Sequence, residues 1–474
     1  MKNSRVIVVS NRLPVSMSEH DGRMVLKRSV GGLATALNSV ASRRNLLWIG
    51  WPGTDRLLSR KELADLKFPK ELVPVQIPKR LLTGYYHRLA NGVLWPLMHG
   101  LKPAIREQPE DLAATEEVIE RFTRAVEANW RPDDTIWIHD FHLMLLPKSL
   151  RLRGVDGRIG FFVHTPFPKP EVFMAWPHHR QALESLAAVD VLGLQTPRDV
   201  RNFKACLTQA GLAMRSGATV RSFPIGVDFS AYRTADALAE VKGFLRSFRS
   251  LKRRGSQLVL SVSRLDYTKG ILQQLAAVES ALERYRPAKL HYKLVVAPSR
   301  DELPEYRALK DKIEHKVWEI NAKYREKWHY EPVSYEYRSY GFEELNALYR
   351  LADVLLVTPV IDGMNLVVKE YVAARGAQLG AIVLSRTAGV AFQLRDGVIV
   401  EPGDARHITQ GLVQALEMPL VEQAWRWQSL YRNVRQQDVF WWAGSFLAAL
   451  ERRGARRAPQ ADTQWALNSA AGQV

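Results

Sequence analysis

The sequence predicts an α/β protein made of two doubly wound parallel-sheet domains. Three observations carry that expectation: β-rich runs alternate with longer amphipathic stretches, the strand-like runs lack polar alternation, and the chain has 474 residues. One hydrophobic core rarely extends over so many residues, so two domains of ordinary size follow. Strands buried on both faces read as continuous apolar runs, and intervening helices cover the two faces of a parallel sheet.

The first series comprises Val6 to Ser10, Leu46 to Ile49, Thr135 to His139, Ile159 to His164 and Val189 to Gln195. A charged, helical-looking stretch follows Asp228 and runs through Arg254. The second series comprises Leu258 to Ser263, Tyr292 to Ala297, Val333 to Tyr337, Val354 to Val357, Ala381 to Leu384 and Val398 to Val400. The expected domains are therefore residues 1–230 and 231–438. A helix over 439–453 is expected to return to the first domain, and 458–474, rich in Ala, Gln and Pro, to be a disordered tail. Ligands in such sheets bind beyond the C-terminal ends of strands, which places the expected site in a central cleft that the two domains face.

Composition narrows the function classes. Hydrophobic residues make up 46% and charged residues 24%, as in a folded globular protein rather than a disordered one. The formal charge of +18 favours anionic partners. Its clusters at Arg246 to Arg254 and Arg452 to Arg457 are not interleaved with aromatics in the pattern of a nucleic-acid module, so sugar phosphates are expected and nucleic acid is not. Cys206 stands alone, which precludes an intramolecular disulfide and fits a reducing compartment. The N-terminus reaches Asn11 and Arg12 before a signal-length apolar segment develops, and Val439 to Leu450 is too short to span a bilayer. A cytoplasmic protein with no membrane partner is expected.

The stretch Asp353 to Ala374 carries the densest chemistry. A buried strand leads through Asp362 and Gly363 to a helix start, with Glu370 eight residues beyond Asp362. Gly363 is expected to turn the chain so that the amides of Met364, Asn365, Leu366 and Val367 converge at a helix N-terminus, an anion site. Two acids around such a site suit a ligand with hydroxyls on either side of a phosphate. An ordinary βα unit with a turn acid and a solvated helix acid would look the same, so neighbouring motifs decide. Arg264 and Lys269 lie just beyond the strand Leu258 to Ser263, where a bidentate guanidinium and a point charge can neutralise a leaving diphosphate.

In the first half Arg12 follows the opening strand, and Gly31 and Gly32 enter a helix, a second place where amides can approach phosphate. Trp51, Tyr86 and Trp95 offer flat amphipathic surfaces to sugar rings, although such aromatics are more often core. His139, Asp140 and His142 end one strand and His164 ends another. A metal reading fails because two ligands from one strand end rarely face one ion and no further His/Cys set has suitable spacing. Asp140 and Asp362 could serve as a hydrolase acid and nucleophile. A hydrolase, however, has no need of the Arg264 and Lys269 grip, and hydroxyl binding by both aspartates fits better.

At these residues the chain resembles the trehalose-6-phosphate synthase family, retaining glycosyltransferases of the two-Rossmann-domain GT-B type. The resemblance runs from about Val6 to Leu450 over many separated motifs. It implies transfer of glucose from a nucleotide sugar, UDP-glucose above all, to glucose 6-phosphate with no metal or other cofactor. It implies an acceptor phosphate held by Arg12 and Arg300, acceptor contacts from Trp51, Tyr86, Trp95 and Asp140, and His164 close to the donor glucose. On the donor side it implies Gly32 in a closing loop, Arg264 and Lys269 on the diphosphate, and Asp362 on sugar hydroxyls. Amides of Met364 to Val367 would contact phosphate, Glu370 the ribose, and backbone near Tyr340 the base. The implied mechanism is front-face attack in which the leaving phosphate accepts the acceptor's proton.

The chain departs from the family at Phe141, often tyrosine, at Ile361, commonly arginine, and at Ser385 to Leu394, which lacks the usual phenylalanine before Ala-Gly and a common acid near its end. No aspartate-rich phosphatase domain follows, so a separate trehalose-6-phosphate phosphatase is expected, and homo-oligomers, dimeric or tetrameric. Rival readings are a glucosylglycerol-phosphate synthase, which typically lacks both acceptor arginines, a validamycin-type pseudo-glycosyltransferase, and a catalytically inactive sugar-phosphate sensor.

Overall fold

The structure is a computed structural model that describes residues 5–20, 23–28, 32–41, 44–54, 58, 62–63, 71–102, 106–252, 256–284, 290–300 and 303–454. Gly31 and the tail 458–474 lie outside them. The chain divides into two compact units, one of Met1–Pro224 with Trp442–Val474 and one of Ile225–Trp441. The chain passes from the first unit to the second at Pro224/Ile225 and returns inside the helix Val439–Gly454.

In the first unit seven parallel strands are β1 (Val6–Arg12), β4 (Leu46–Trp51), β5 (Glu71–Pro74), β6 (Thr135–His139), β7 (Arg158–Phe162), β8 (Val191–Leu194) and β9 (Thr219–Ser222). Their order is β5-β4-β1-β6-β7-β8-β9, so the winding reverses direction between β1 and β6. A separate antiparallel hairpin, β2 (Val15–His20) with β3 (Arg23–Arg28), precedes the helix Gly32–Ala41. Neither this hairpin nor β5 and β9 was expected. Their sequences are short or polar, and pairing to a neighbour rather than apolar patterning makes them strands.

The second unit contains β10 (Gln257–Arg264), β11 (Leu290–Ala297), β12 (Val333–Tyr337), β13 (Val354–Val357), β14 (Ala381–Ser385) and β15 (Val398–Val400). All pair in parallel in the order β12-β11-β10-β13-β14-β15, the doubly wound order of a Rossmann sheet with its switch point between β10 and β13. The β13 run Val-Leu-Leu-Val is buried throughout, as a strand covered on both faces must be. Cys206 is buried at 0% exposure, and burial pushes its thiol up to about 12, so it is inert packing. Among the described residues no helix is long and apolar enough to cross a membrane.

Candidate active site

In the second unit Arg264, Lys269 and Asp362 lie at or beyond the ends of the two strands of the β10/β13 switch point. β10 ends on the exposed Arg264, and a short 3-10 turn, Tyr267–Lys269, follows. Gly270 then sits at φ 68, where an added Cβ would lie 2.6 Å from the Thr358 carbonyl beyond β13. That close approach, with Val360 N–H donating to Thr268 O at 2.7 Å, sews the two strand ends together. Lys269 Nζ reaches Asp362 Oδ2 at 2.7 Å, and Asn365 Nδ2 donates to the same oxygen at 3.2 Å. A cation from after β10 and an acid from after β13 thus meet at the place where such sheets bind ligands.

The turn into the helix Leu366–Arg375 works differently from the sequence expectation. Asn365, not Gly363, takes the left-handed conformation, at φ 78. Asparagine tolerates that region because its short polar side chain bonds locally. The space requirement here falls on Gly389, where an added Cβ would stand 1.8 Å from the Gly363 carbonyl. The first turn of this helix carries no acid of its own. Met364 is buried, whereas Leu366 and Val367 are half-buried.

Glu370 does not sit as a solvated helix acid. Tyr349 donates its hydroxyl to Glu370 Oε2 at 2.7 Å and Tyr232 also bonds to the carboxyl, while burial pushes that carboxyl up. Tyr340, in the loop after β12, is buried with its ring 6.2 Å from Phe248 and the Arg338 guanidinium 3.8 Å above it. Its neighbour Glu336 is pushed up by burial, but bonds from Lys293, Tyr340 and Arg338 outweigh that and hold it down at about 2.

Arg300 joins this same unit's cluster. At φ 54 it ion-pairs Asp266 at 2.9 Å and donates to the Tyr306 hydroxyl at 2.8 Å. Asp266 is 1% exposed; burial raises its pKa, but Lys269, Arg300, the Thr268 amide and Arg264 together hold it below the usual carboxylate range. Sequence reasoning missed Asp266 and Tyr306. The signal available was an acid between Arg264 and Lys269, which only the fold shows turning inward to pair with Arg300.

In the first unit a second group collects at the β1/β6 switch point. The register of β1 against β4 shifts between Val9 and Arg12, a bulge that re-aims Arg12. Its guanidinium stacks 4.6 Å over the Trp51 ring. Trp51 meets Tyr86 edge-on at 5.7 Å, and Tyr86 stacks on His142 at 6.1 Å. Tyr85, in contrast, is core, donating its hydroxyl to Asn11 Oδ1 at 2.6 Å. Tyr86 stands in a wide π-helix, Thr83–Leu94, whose last carbonyl bond runs from Trp95 N–H to Ala90 O. Trp51 and Trp95 are 4% and 8% exposed, so mainly Tyr86 of the three aromatics has an accessible face. Gly32 opens the helix Gly32–Ala41.

At the end of β6, Asp140 adopts φ 72 and ψ 162, a region that is essentially glycine-only. Its N–H donates to Phe162 O at 2.8 Å and its Oδ1 accepts from His164 N–H at 3.1 Å, which holds the strain in place. Strain of this kind costs about 1–3 kcal/mol and concentrates at functional positions. We therefore expect Asp140→Gly to be about 1–2 kcal/mol more stable than Asp140→Ala, reversing the usual order, while both lose turnover. Thermal denaturation of the two purified variants checks the first part and a steady-state assay the second.

His139 and His164 pair through Nδ1 and Nε2 at 3.1 Å, and His142 turns away to stack on Phe141 at 4.0 Å. These histidines do not converge on one point. Among the described residues no group of three or more His, Cys, Asp or Glu could hold a metal ion.

Comparison with known proteins decides the family. The model of glycosyltransferase family 20 matches residues 4–452. The chain belongs to glycosyltransferase family 20. It is 36% identical to the trehalose-6-phosphate synthase of Mycobacterium bovis over 94% of this chain and 95% of that protein. It is 34% identical to the bifunctional trehalose-6-phosphate synthase/phosphatase of Thermoproteus tenax over 94% of the chain, spanning 63% of that relative's length. Among solved members, an α,α-trehalose-phosphate synthase (UDP-forming) from Burkholderia xenovorans in complex with glucose-6-phosphate superposes with a TM-score of 0.84 at 29% identity, covering 94% and 100% of the two chains. An E. coli structure bound with UDP-2-fluoro glucose gives 0.84 at 31% identity, covering 96% and 100%. The family-20 fold of two parallel-sheet units is thus shared, as the sequence predicted.

Proposed function

We propose that the chain is an α,α-trehalose-6-phosphate synthase that transfers glucose from UDP-glucose to glucose 6-phosphate with retention. The observation that carries this reading is the Lys269–Asp362 pair at the β10/β13 switch point, with Arg264 beside it on β10 and the amides of Met364 to Val367 after it. A nucleotide sugar exchanges that pair for two better partners: diphosphate for Lys269, sugar hydroxyls for Asp362. Arg264 adds a bidentate grip on the diphosphate. Its relatives' names and the ligands of the two solved structures support the same substrates.

In this reading the unit Ile225–Trp441 takes the nucleotide sugar and the unit Met1–Pro224 the acceptor. Glu370 takes the ribose hydroxyls, backbone near Tyr340 the base, and Gly31 and Gly32 the closing loop. Arg12, Trp51, Tyr86, Trp95 and Asp140 serve the acceptor together with Arg300, which Asp266 and Tyr306 aim. His164 lies by the donor glucose. Negative charge growing on the departing diphosphate meets Arg264 and Lys269, so no metal is required, and the phosphate oxygen takes the acceptor proton. The enzyme works as a cytoplasmic homo-oligomer whose product a separate phosphatase consumes.

A coupled assay of nucleoside diphosphate release, crossing UDP-, GDP- and ADP-glucose with glucose 6-phosphate and glycerol 3-phosphate, tests it. Release is expected with UDP-glucose and glucose 6-phosphate. No release with glucose 6-phosphate and any donor refutes the reading.

A further inference from the structure

His139 is 0% exposed, and its environment is aromatic. Trp137 lies 4.6 Å away by ring centroids, Phe162 6.4 Å, and Trp442 6.3 Å on the helix Val439–Gly454. Its Nδ1 bonds to His164 Nε2 at 3.1 Å. Its Nε2 is buried with no hydrogen-bond partner among the described residues. Burial holds both imidazoles neutral, with His164 lowered to about 3 and His139 well below its usual range, the second further lowered by the first. Each neutral ring carries one N–H, so the shared bond admits two arrangements.

In one arrangement His164 donates from Nε2 to His139 Nδ1. His139 must then carry its proton on Nε2, leaving a buried N–H with nothing to accept it. In the other, His139 donates from Nδ1, and only a ring lone pair on Nε2 goes unmet. Orphaned buried donors are rarer and costlier than under-satisfied acceptors, so the second arrangement wins. With Nε2 of His164 accepting, its own proton must sit on Nδ1. His164 is only partly buried, and its main-chain N–H is already fixed by Asp140.

We infer that His139 is a positioning residue that locks the proton of His164 on Nδ1, so that His164 offers an approaching oxygen a hydrogen-bond donor and no base. This rests on the proposed glucosyl transfer only for the identity of that oxygen, a hydroxyl of the donor sugar. It agrees with a mechanism in which the leaving phosphate, not the enzyme, receives the acceptor proton. Trp442 acquires a purpose as well: the returning helix covers the histidine pair, with its ring edge-on to His164 at 6.1 Å, and keeps water from supplying an acceptor to His139.

The test reads the proton directly. Long-range proton–nitrogen correlation spectra of the full chain with ¹⁵N-labelled histidine resolve the tautomer of each of its 12 histidines, and His164→Gln identifies the signals of His164. A pattern protonated at Nδ1, unchanged between pH 8 and about pH 5, is expected. In His139→Phe, which removes the donor, His164 is expected to shift to a mixture containing the Nε2-protonated form, with kcat down about tenfold or more. His139→Gln, whose amide can donate to Nε2, is expected to restore the Nδ1 pattern and recover kcat relative to His139→Phe. An Nε2-protonated or imidazolium His164 in the unaltered chain overturns the inference even if His139→Phe fails to fold. So does a folded His139→Phe whose His164 pattern does not change. Because the spectra need no substrate, a chain inactive in glucosyl transfer still reveals the tautomers of the histidine pair.

Discussion

Lys269→Ala is expected to lower turnover by about two to three orders of magnitude, the loss seen when one preorganised partner of a developing negative charge is removed. Arg264→Ala is expected to match it. Folding should change little. The Lys269–Asp362 pair is 12% and 15% exposed by side chain, between a surface pair and a fully buried one, and the Asn365 amide still donates to Asp362 at 3.2 Å after its loss, so about 1–3 kcal/mol of stability is at stake. Arg264 is exposed at the end of β10, so its removal opens no buried cavity. Steady-state kinetics of the two variants beside their melting curves check both halves. Near-normal turnover in either variant removes that residue from the machinery.

The second large effect is a stability that depends on pH through one lysine. Lys369 is 1% exposed on the helix Leu366–Arg375, and its Nζ donates to Ile225 O at 2.6 Å and Gln393 Oε1 at 2.7 Å. Both are neutral acceptors, and burial lowers the ammonium to about 7. The unfolded chain holds the proton to about pH 10.4, so between these values it binds more protons than the folded one, and stability rises with pH. The penalty is complete below about pH 7 and gone above about pH 10.4. At about 1.4 kcal/mol per unit the upper bound is on the order of 5 kcal/mol.

Buried tyrosines raised above their ordinary range by burial, such as Tyr232 and Tyr349, act in the opposite sense at still higher pH. Comparing the unaltered chain with Gln393→Glu cancels that background. A carboxylate at Gln393 would pair the ammonium, so the variant should be the more stable of the two below pH 7, and the difference should shrink toward pH 10. Denaturant titrations at pH 6, 8 and 10 measure it. A difference that is flat in pH shows that Lys369 is not the group titrating. Lys369 also bonds the first residue after the Pro224/Ile225 crossing, and Gln393 donates to Gln437 at 2.5 Å, shortly before the Trp441/Trp442 crossing. The same lysine therefore fixes both crossing segments within the second unit.

What was legible in the sequence was what local pattern controls. Buried strands of a parallel sheet are continuous apolar runs, and the residues just past their C-terminal ends are the ones a doubly wound sheet presents to a ligand. Arg12, Asp140, Arg264 and Asp362 could each be named for that reason, before any partner was known. Gly363 was named as the residue that turns the chain. Asn365, two residues on, supplies the left-handed conformation, and the glycine that close packing requires is Gly389, against the Gly363 carbonyl.

The sequence by itself determined the two doubly wound units, the positions of their main strands along the chain and the polar residues at the strand ends, because each depends on a few consecutive side chains and their period. Only the tertiary structure decided which of those residues touch. Asp266 with Arg300 and Tyr306, His139 with His164 under Trp442, and Lys369 with Ile225 and Gln393 are brought together by crossovers. Read along the chain, Asp266 looks like a loop acid and Lys369 like a solvated helix lysine. Burial reverses both meanings, since a charge removed from water must find fixed partners or give up its proton, and those partners lie far away in sequence.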